Sequence, residues 1–216
     1  LPVFTRPAAA QTTVTVTHPL PPASHYGAGA VAFKEAVERL TNNRYKVNIQ
    51  RNDNEREAIE ATQIGTQEFT ITSTGPVGNF VRETLVLDIP FLMRDNDRHP
   101  WAVVDGVVGQ RIADAIERES GLVVLGWWSG GMRHVFTRSR PVARPSDLSE
   151  LKIRVIGSPV YMDTFNGLGA KATPMPYGEV YTALATGTVD GAENDTTGYR
   201  NMKFFEQAPE LGLQVP

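Results

Sequence analysis

The sequence predicts an α/β protein with mostly parallel sheets and helices on both faces, on three observations. Short runs of strand length, apolar or alternating, recur between longer runs whose apolar residues keep helical spacing. Clusters of Gly, Pro, Ser, Thr and Asn punctuate the changes from one to the other. Strand and helix alternate along the chain instead of segregating, which is the order that builds parallel sheets.

Thr12 to Thr17 alternates Thr with Val and reads as the first strand. Pro19, Pro21 and Pro22 form a loop, and Ala30, Phe33, Val37 and Leu40 then recur at helical spacing across a helix from Tyr26 to Leu40. Tyr45 to Ile49 alternates as a second strand, and Glu55 to Ile64 is helical up to a C-capping Gly65. Phe69 to Thr72 gives a third strand, and Val86 to Ile89 a short one before the Pro90-Phe91-Leu92 turn. A long helix spans Val107 to Glu119, with Val108, Ile112 and Ile116 on one face and Gly121 closing it. Strands follow at Leu122 to Trp128, Val135 to Thr137, Lys152 to Val155 and Ala172 to Pro174, with one more near Gly191. Helices are expected at Val160 to Leu168, Gly178 to Thr186 and Asp195 to Glu206. The composition shift between Gly121 and Gly131 marks a lobe boundary, which divides the chain into 12–125 and 126–216. Residues 1–11, with Ala8-Ala9-Ala10 before Gln11, read as a signal remnant or a disordered N-terminus.

Composition narrows the function. The 216 residues are 41% hydrophobic and 21% charged, as in an ordinary globular chain. Lys and Arg number 21 against 24 Asp and Glu, so no basic excess points to nucleic acid. With no Cys, disulfides, thiolate metal sites and Cys nucleophiles are excluded. No apolar run approaches the ~20 residues of a membrane-spanning helix. His18, His25, His99 and His134 lack zinc-hydrolase spacing, and no Ser sits in a nucleophile elbow. Asp95 with Asp97, and the run Asp53 to Glu57, lack calcium-loop spacing. The reading is therefore a binding protein, not an enzyme, with no cofactor and no metal.

Ligands of open α/β sheets bind beyond the carboxyl ends of the strands. Four strand-to-helix junctions stand out: Ser73-Thr74-Gly75-Pro76, Arg154-Val155-Ile156-Gly157-Ser158-Pro159, Pro174-Met175-Pro176-Tyr177-Gly178-Glu179, and Asp190-Gly191-Ala192-Glu193-Asn194-Asp195. Each directs backbone N–H groups and the positive end of a helix outward, and together they favour an anion. Arg154 ends an apolar strand, where a cation needs a partner, either an internal acid or a bound carboxylate. Arg133, after Gly130-Gly131, is either a solvated loop arginine or a second ligand contact. Asn194 offers an amide donor or plain turn chemistry, and Tyr177 a cleft ring with its hydroxyl or a core residue. Of Trp127 and Trp128, one faces the core and the other the cleft or solvent.

The chain resembles the solute-binding component of a tripartite ATP-independent periplasmic (TRAP) transporter, the DctP type. The resemblance runs from Thr12 to Glu206. It is carried by Leu87-Asp88-Ile89-Pro90-Phe91-Leu92, Gly131-Met132-Arg133-His134, Leu151-Lys152-Ile153-Arg154-Val155, Pro174-Met175-Pro176-Tyr177-Gly178-Glu179-Val180-Tyr181 and Val189-Asp190-Gly191-Ala192-Glu193-Asn194. It implies a two-lobed periplasmic-binding-protein fold (class II-like) that captures an organic acid, a sugar acid or a dicarboxylate, and delivers it to a membrane permease. It also implies export to the periplasm of a Gram-negative bacterium. It assigns carboxylate clamping to Arg154, a second cleft arginine to Arg133, the cleft aromatic to Tyr177 and the amide donor to Asn194. Ser73 completes the expected ligand-binding set from the first lobe. The chain departs from the pattern at Gln50 to Glu57, which is short of turn glycines, and at Ile156, where many members have Pro. It also stops at Pro216, before the C-terminal part of the family fold. Two rival expectations follow: a sensory binding protein for a membrane receptor, and a truncated fragment without function.

Overall fold

The computed structural model describes residues 10–94 and 97–215. Nearly all of the 1–11 segment and Asp95 of the acidic pair therefore lie outside the described residues.

Two sheets organise the chain. In the first, β1 (Thr12–His18) lies between β2 (Tyr45–Arg51) and β3 (Phe69–Thr70), and both pairings are parallel. Parallel neighbours need a crossover, and helices supply it: α1 (His25–Leu40) joins β1 to β2, and α2 (Glu55–Gln63) joins β2 to β3. Ser24 caps α1 by accepting from Gly27 N at 3.1 Å, and Asn54 caps α2 by accepting from Glu57 N at 3.4 Å. Val14 and Val16 of β1, Val47 of β2 and Ala30 of α1 form the shared core, with Phe33 and Val37 packed against it.

The second sheet is mixed. Its order is β6 (Lys171–Pro174), β5 (Lys152–Val155), β7 (Gly191–Asp195), β4 (Arg133–Thr137), β8 (Glu210–Val215). β5 is parallel to β6 and β7, whereas β4 is antiparallel to β7 and β8. Successive residues of a strand face opposite sides. Val135 accordingly joins one core with Ile153 and with Phe165 of α6 (Pro159–Gly167). Its neighbour Phe136 joins another, with Leu184 of α7 (Val180–Thr186) and Phe204. The sheet is thus covered on both faces, as the alternation of elements predicts.

Along the chain, between β3 and β4, come α3 (Thr74–Val77), a 3-10 helix (Arg82–Asp88), α4 (Arg98–Val104) and α5 (Val107–Ser120). Gly121, at φ 74°, ends α5.

Several elements differ from the sequence reading. The strand expected at Val86 to Ile89 is the end of the 3-10 helix; the Thr84 hydroxyl donates to Val81 O at 2.8 Å, a local bond that competes with extended chain. The strand expected at Leu122 to Trp128 belongs to neither sheet. Its side chains alternate between partly buried and exposed, with Val123 62% and Leu125 70% exposed, so the apolar pattern is present without a ladder partner among the described residues. β3 stops at Thr70 because the Thr72 hydroxyl and Ser73 N donate instead to Glu55 Oε1. The expected last helix is α8 (Thr196–Asn201), broken by left-handed Lys203 (φ 56°) before a 3-10 turn at Phe204–Glu206. The helix α4, the 3-10 turn Pro145–Leu148 and the strand β8 were not anticipated.

Candidate functional site

A cavity of about 900 Å³ opens between the two sheets, and Ser73, Arg133, Arg154, Tyr177 and Asn194 all line it. The sequence placed Ser73, Arg154, Tyr177 and Asn194 on four separate junctions and Arg133 after a Gly pair; the structure brings all five to one cavity. Gly75 packs closely against the β5–α6 junction across the site. A Cβ there would sit 3.1 Å from Ile156 and 3.2 Å from Ser158, so only glycine lets α3 settle on the β5–α6 junction without displacement. Asn79 Nδ2 donates to Gly157 O at 2.6 Å beside this contact.

Arg154 sits in β5 between Thr173 of β6 and Ala192 of β7 and is 3% exposed. Its Nε and Nη2 both donate to one carbonyl, Met175 O, at 3.1 and 2.7 Å. No described carboxylate forms an ion pair with it. Its guanidinium carbon lies 5.7 Å from the centre of the Tyr177 ring. Burial lowers its pKa, and a guanidinium nevertheless stays cationic. Glu193 and Glu55 act on it from a distance, but among the described residues this buried cation has no carboxylate within ion-pair reach.

Arg133 is different. It opens β4 just after Gly131, whose φ of 83° turns the chain into the strand. Its Nε donates to the carboxylate of fully buried Glu193, and Nη2 donates to Glu193 O at 3.3 Å. Its guanidinium lies 5.5 Å from the Tyr161 ring centre. Burial opposes its charge, but Glu193, Tyr161 and Asp195 together push its pKa above the ordinary arginine value. The solvated-loop alternative fails, since only 16% of the side chain is exposed.

The neutral groups are linked in series. Asn194 Nδ2 donates to the Tyr177 hydroxyl at 2.8 Å, and Asn194 Oδ1 accepts from Asp195 N at 2.8 Å. Burial raises the Tyr177 pKa, so its hydroxyl keeps a proton that it can donate to a further acceptor. Ser73 N and Oγ donate to Glu55 Oε1 at 2.8 and 2.7 Å, which fixes the mouth of α2 against α3. Ser158 stands at the N-cap of α6 with Pro159 first in the helix, but its hydroxyl makes no capping bond and is buried without a partner. Trp127 packs on the α5 core, while Trp128 fills the space beside Gly29; both line the cavity.

Tyr26, Glu55, Asp88, Tyr161 and Asp195 also line the cavity, and the sequence did not single them out as ligand-facing. Asp195 was legible only as a helix cap, which it is: Oδ1 accepts from Gly198 N at 2.8 Å. Asp88 Oδ1 accepts from Thr74 Oγ1 at 2.5 Å, while Oδ2 is buried with no donor. Burial, against that hydrogen bond, pushes the Asp88 carboxyl up from 3.8 to about 6. Between those values the folded chain holds a proton that the unfolded chain has lost, so stability falls as pH rises through this window and stays lower above it. Asp88→Asn is expected to raise the unfolding free energy at pH 7.5 by about 1–2 kcal/mol, below the full linkage value because the rest of the side chain is partly exposed. At pH 3.5 the gain disappears. Urea titrations at both pH values check this, and an equal effect at both argues against it.

Comparisons with known proteins fit this arrangement. The family model described as bacterial extracellular solute-binding protein, family 7 (DctP), matches residues 16–213. A solute-binding protein of Verminephrobacter eiseniae is 42% identical over 209 residues, covering 95% of this chain and 62% of that protein. This chain thus spans less than two thirds of that relative's length. Among solved structures, a TRAP periplasmic solute-binding protein from Polaromonas sp. JS666 bound to D-erythronate superposes with a TM-score of 0.90 at 40% identity, covering 95% of this chain and 70% of that one. Another, from Sulfurospirillum deleyianum with bound succinate, superposes with a TM-score of 0.88 at 32% identity, covering 95% and 68%. No helix among the described residues is long and apolar enough to cross a membrane.

Proposed function

From the premise that this chain belongs to the DctP family of bacterial extracellular solute-binding proteins, we propose that it captures an organic acid in the cavity between its sheets, with Arg154 clamping the carboxylate. The acid is a sugar acid or a dicarboxylate, held between a lobe of residues 12–125 and a lobe of residues 126–216. The capture takes place in the periplasm of a Gram-negative bacterium, and the acid is then delivered to a TRAP membrane permease.

The observation that carries the reading is the state of Arg154: 97% buried by its 3% exposure, lining the cavity, and without a carboxylate partner. An unpaired buried charge loses several kcal/mol of hydration, about what a bound carboxylate can return through a bidentate pair. Arg133 supports the site differently. Its charge is answered by Glu193, so it fixes the cavity wall and supplies a second, weaker positive field. The Tyr177 hydroxyl, held by Asn194, and Ser73, held by Glu55, orient the remaining ligand oxygens.

A thermal-shift screen of the 216-residue chain tests this. Organic acids at a hundredfold excess over Kd should stabilise it by about 2.7 kcal/mol, and the matching neutral polyols or amides should not. A flat response to sugar acids and dicarboxylates alike would sink the proposal.

A further inference from the structure

We infer that the cavity selects acids with a single carboxylate on a hydroxylated chain and rejects dicarboxylates of the same length; this rests on the Arg154 clamp proposed above. The charge balance of the walls carries it. Two guanidiniums line the cavity, and Glu193 is ion-paired with Arg133, which leaves Arg154 as the lining guanidinium without an ion pair among the described residues. That charge accommodates one carboxylate.

Four further carboxylates line the same cavity: Glu68, just before β3, accepts from Thr15 N through Oε2 at 2.7 Å, and the other three come from separate elements. Glu55 stands in the first turn of α2, Asp88 at the end of the 3-10 helix, and Asp195 at the cap of α8. None of them forms an ion pair among the described residues. Each has one oxygen held by an internal donor: Glu55 Oε1 by Ser73 and Thr72, Asp88 Oδ1 by Thr74, Asp195 Oδ1 by Gly198 N. The second oxygen of each receives no donor from the described residues. An ionised carboxylate is an acceptor only, so these oxygens call for hydroxyl hydrogens. A second ligand carboxylate brings no proton at neutral pH and meets like charge instead. The preference this produces is on the order of a hundredfold, the scale of like-charge repulsion across a partly screened cavity.

The test is calorimetry at pH 7.5 with matched pairs of equal chain length: erythronate against succinate, ribonate against glutarate, gluconate against adipate. At whichever length binds tightest, the hydroxy acid should win by about a hundredfold. The double variant Glu55→Gln, Asp195→Asn keeps the internal acceptors and the helix cap while removing two charges, and should shrink the preference at least about tenfold. A dicarboxylate that binds as tightly as its partner, or a preference unchanged in the double variant, overturns the selectivity. If the dicarboxylate binding also depends on Arg154, the clamp survives that result. If the folded protein binds no acid of either series, the clamp falls and the selectivity with it.

Discussion

Arg154→Ala is expected to lower the affinity for the bound acid by about 3–5 kcal/mol, a loss of roughly two to three and a half orders of magnitude in Kd. Micromolar binding corresponds to only about −8 kcal/mol, so the variant should show no measurable heat at ordinary concentrations. The size follows from the environment. A guanidinium buried beside Tyr177, with both bonded nitrogens on the single acceptor Met175 O, has no ion pair among the described residues. Arg154→Lys keeps the charge but loses the planar fork, and should recover part of the affinity. Because no ion pair is broken in the ligand-free protein, the alanine variant should keep a cooperative melt. Calorimetry and melting curves on the same preparations separate lost binding from lost folding.

The second large effect concerns stability. Glu193→Ala removes the one carboxylate among the described residues that is ion-paired with Arg133 and leaves that cation buried, which should lower the unfolding free energy by about 3–5 kcal/mol. Replacing both partners by apolar residues of similar volume, Arg133→Met with Glu193→Leu, should restore most of it, since a buried pair and a packed apolar pair are close in free energy. Denaturant titration of the single and double variants reads this directly. A single variant as stable as the parent would mean that the pair is not what holds β4 against β7.

Much of this was legible in the sequence. Helices α1, α2, α5 and α6 follow from apolar spacing and from punctuation at Gly65, Gly121 and Pro159, whereas the caps at Ser24 and Asn54 emerged only in the structure. Five residues drawn from separate segments converge on one cavity, because strand ends of α/β sheets gather on one side. What was hidden depends on partners distant in sequence. Nothing local distinguishes Arg133, which meets Glu193 sixty positions on, from Arg154, which meets no acid. Asp88 sits in an apolar motif whose period is too short to read, and its burial arises from packing under Gly75. The run from Leu122 to Trp128 carries a strand's composition, but a strand also needs a neighbour, which composition does not supply.

The most direct measurement is a crystal structure of the chain saturated with the acid that binds it tightest. The carboxylate should lie bidentate on Arg154 at about 2.7–2.9 Å, with Arg133 still bonded to Glu193. A carboxylate seated on Arg133 or elsewhere in the cavity, with Arg154 keeping only Met175 O, would contradict the clamp.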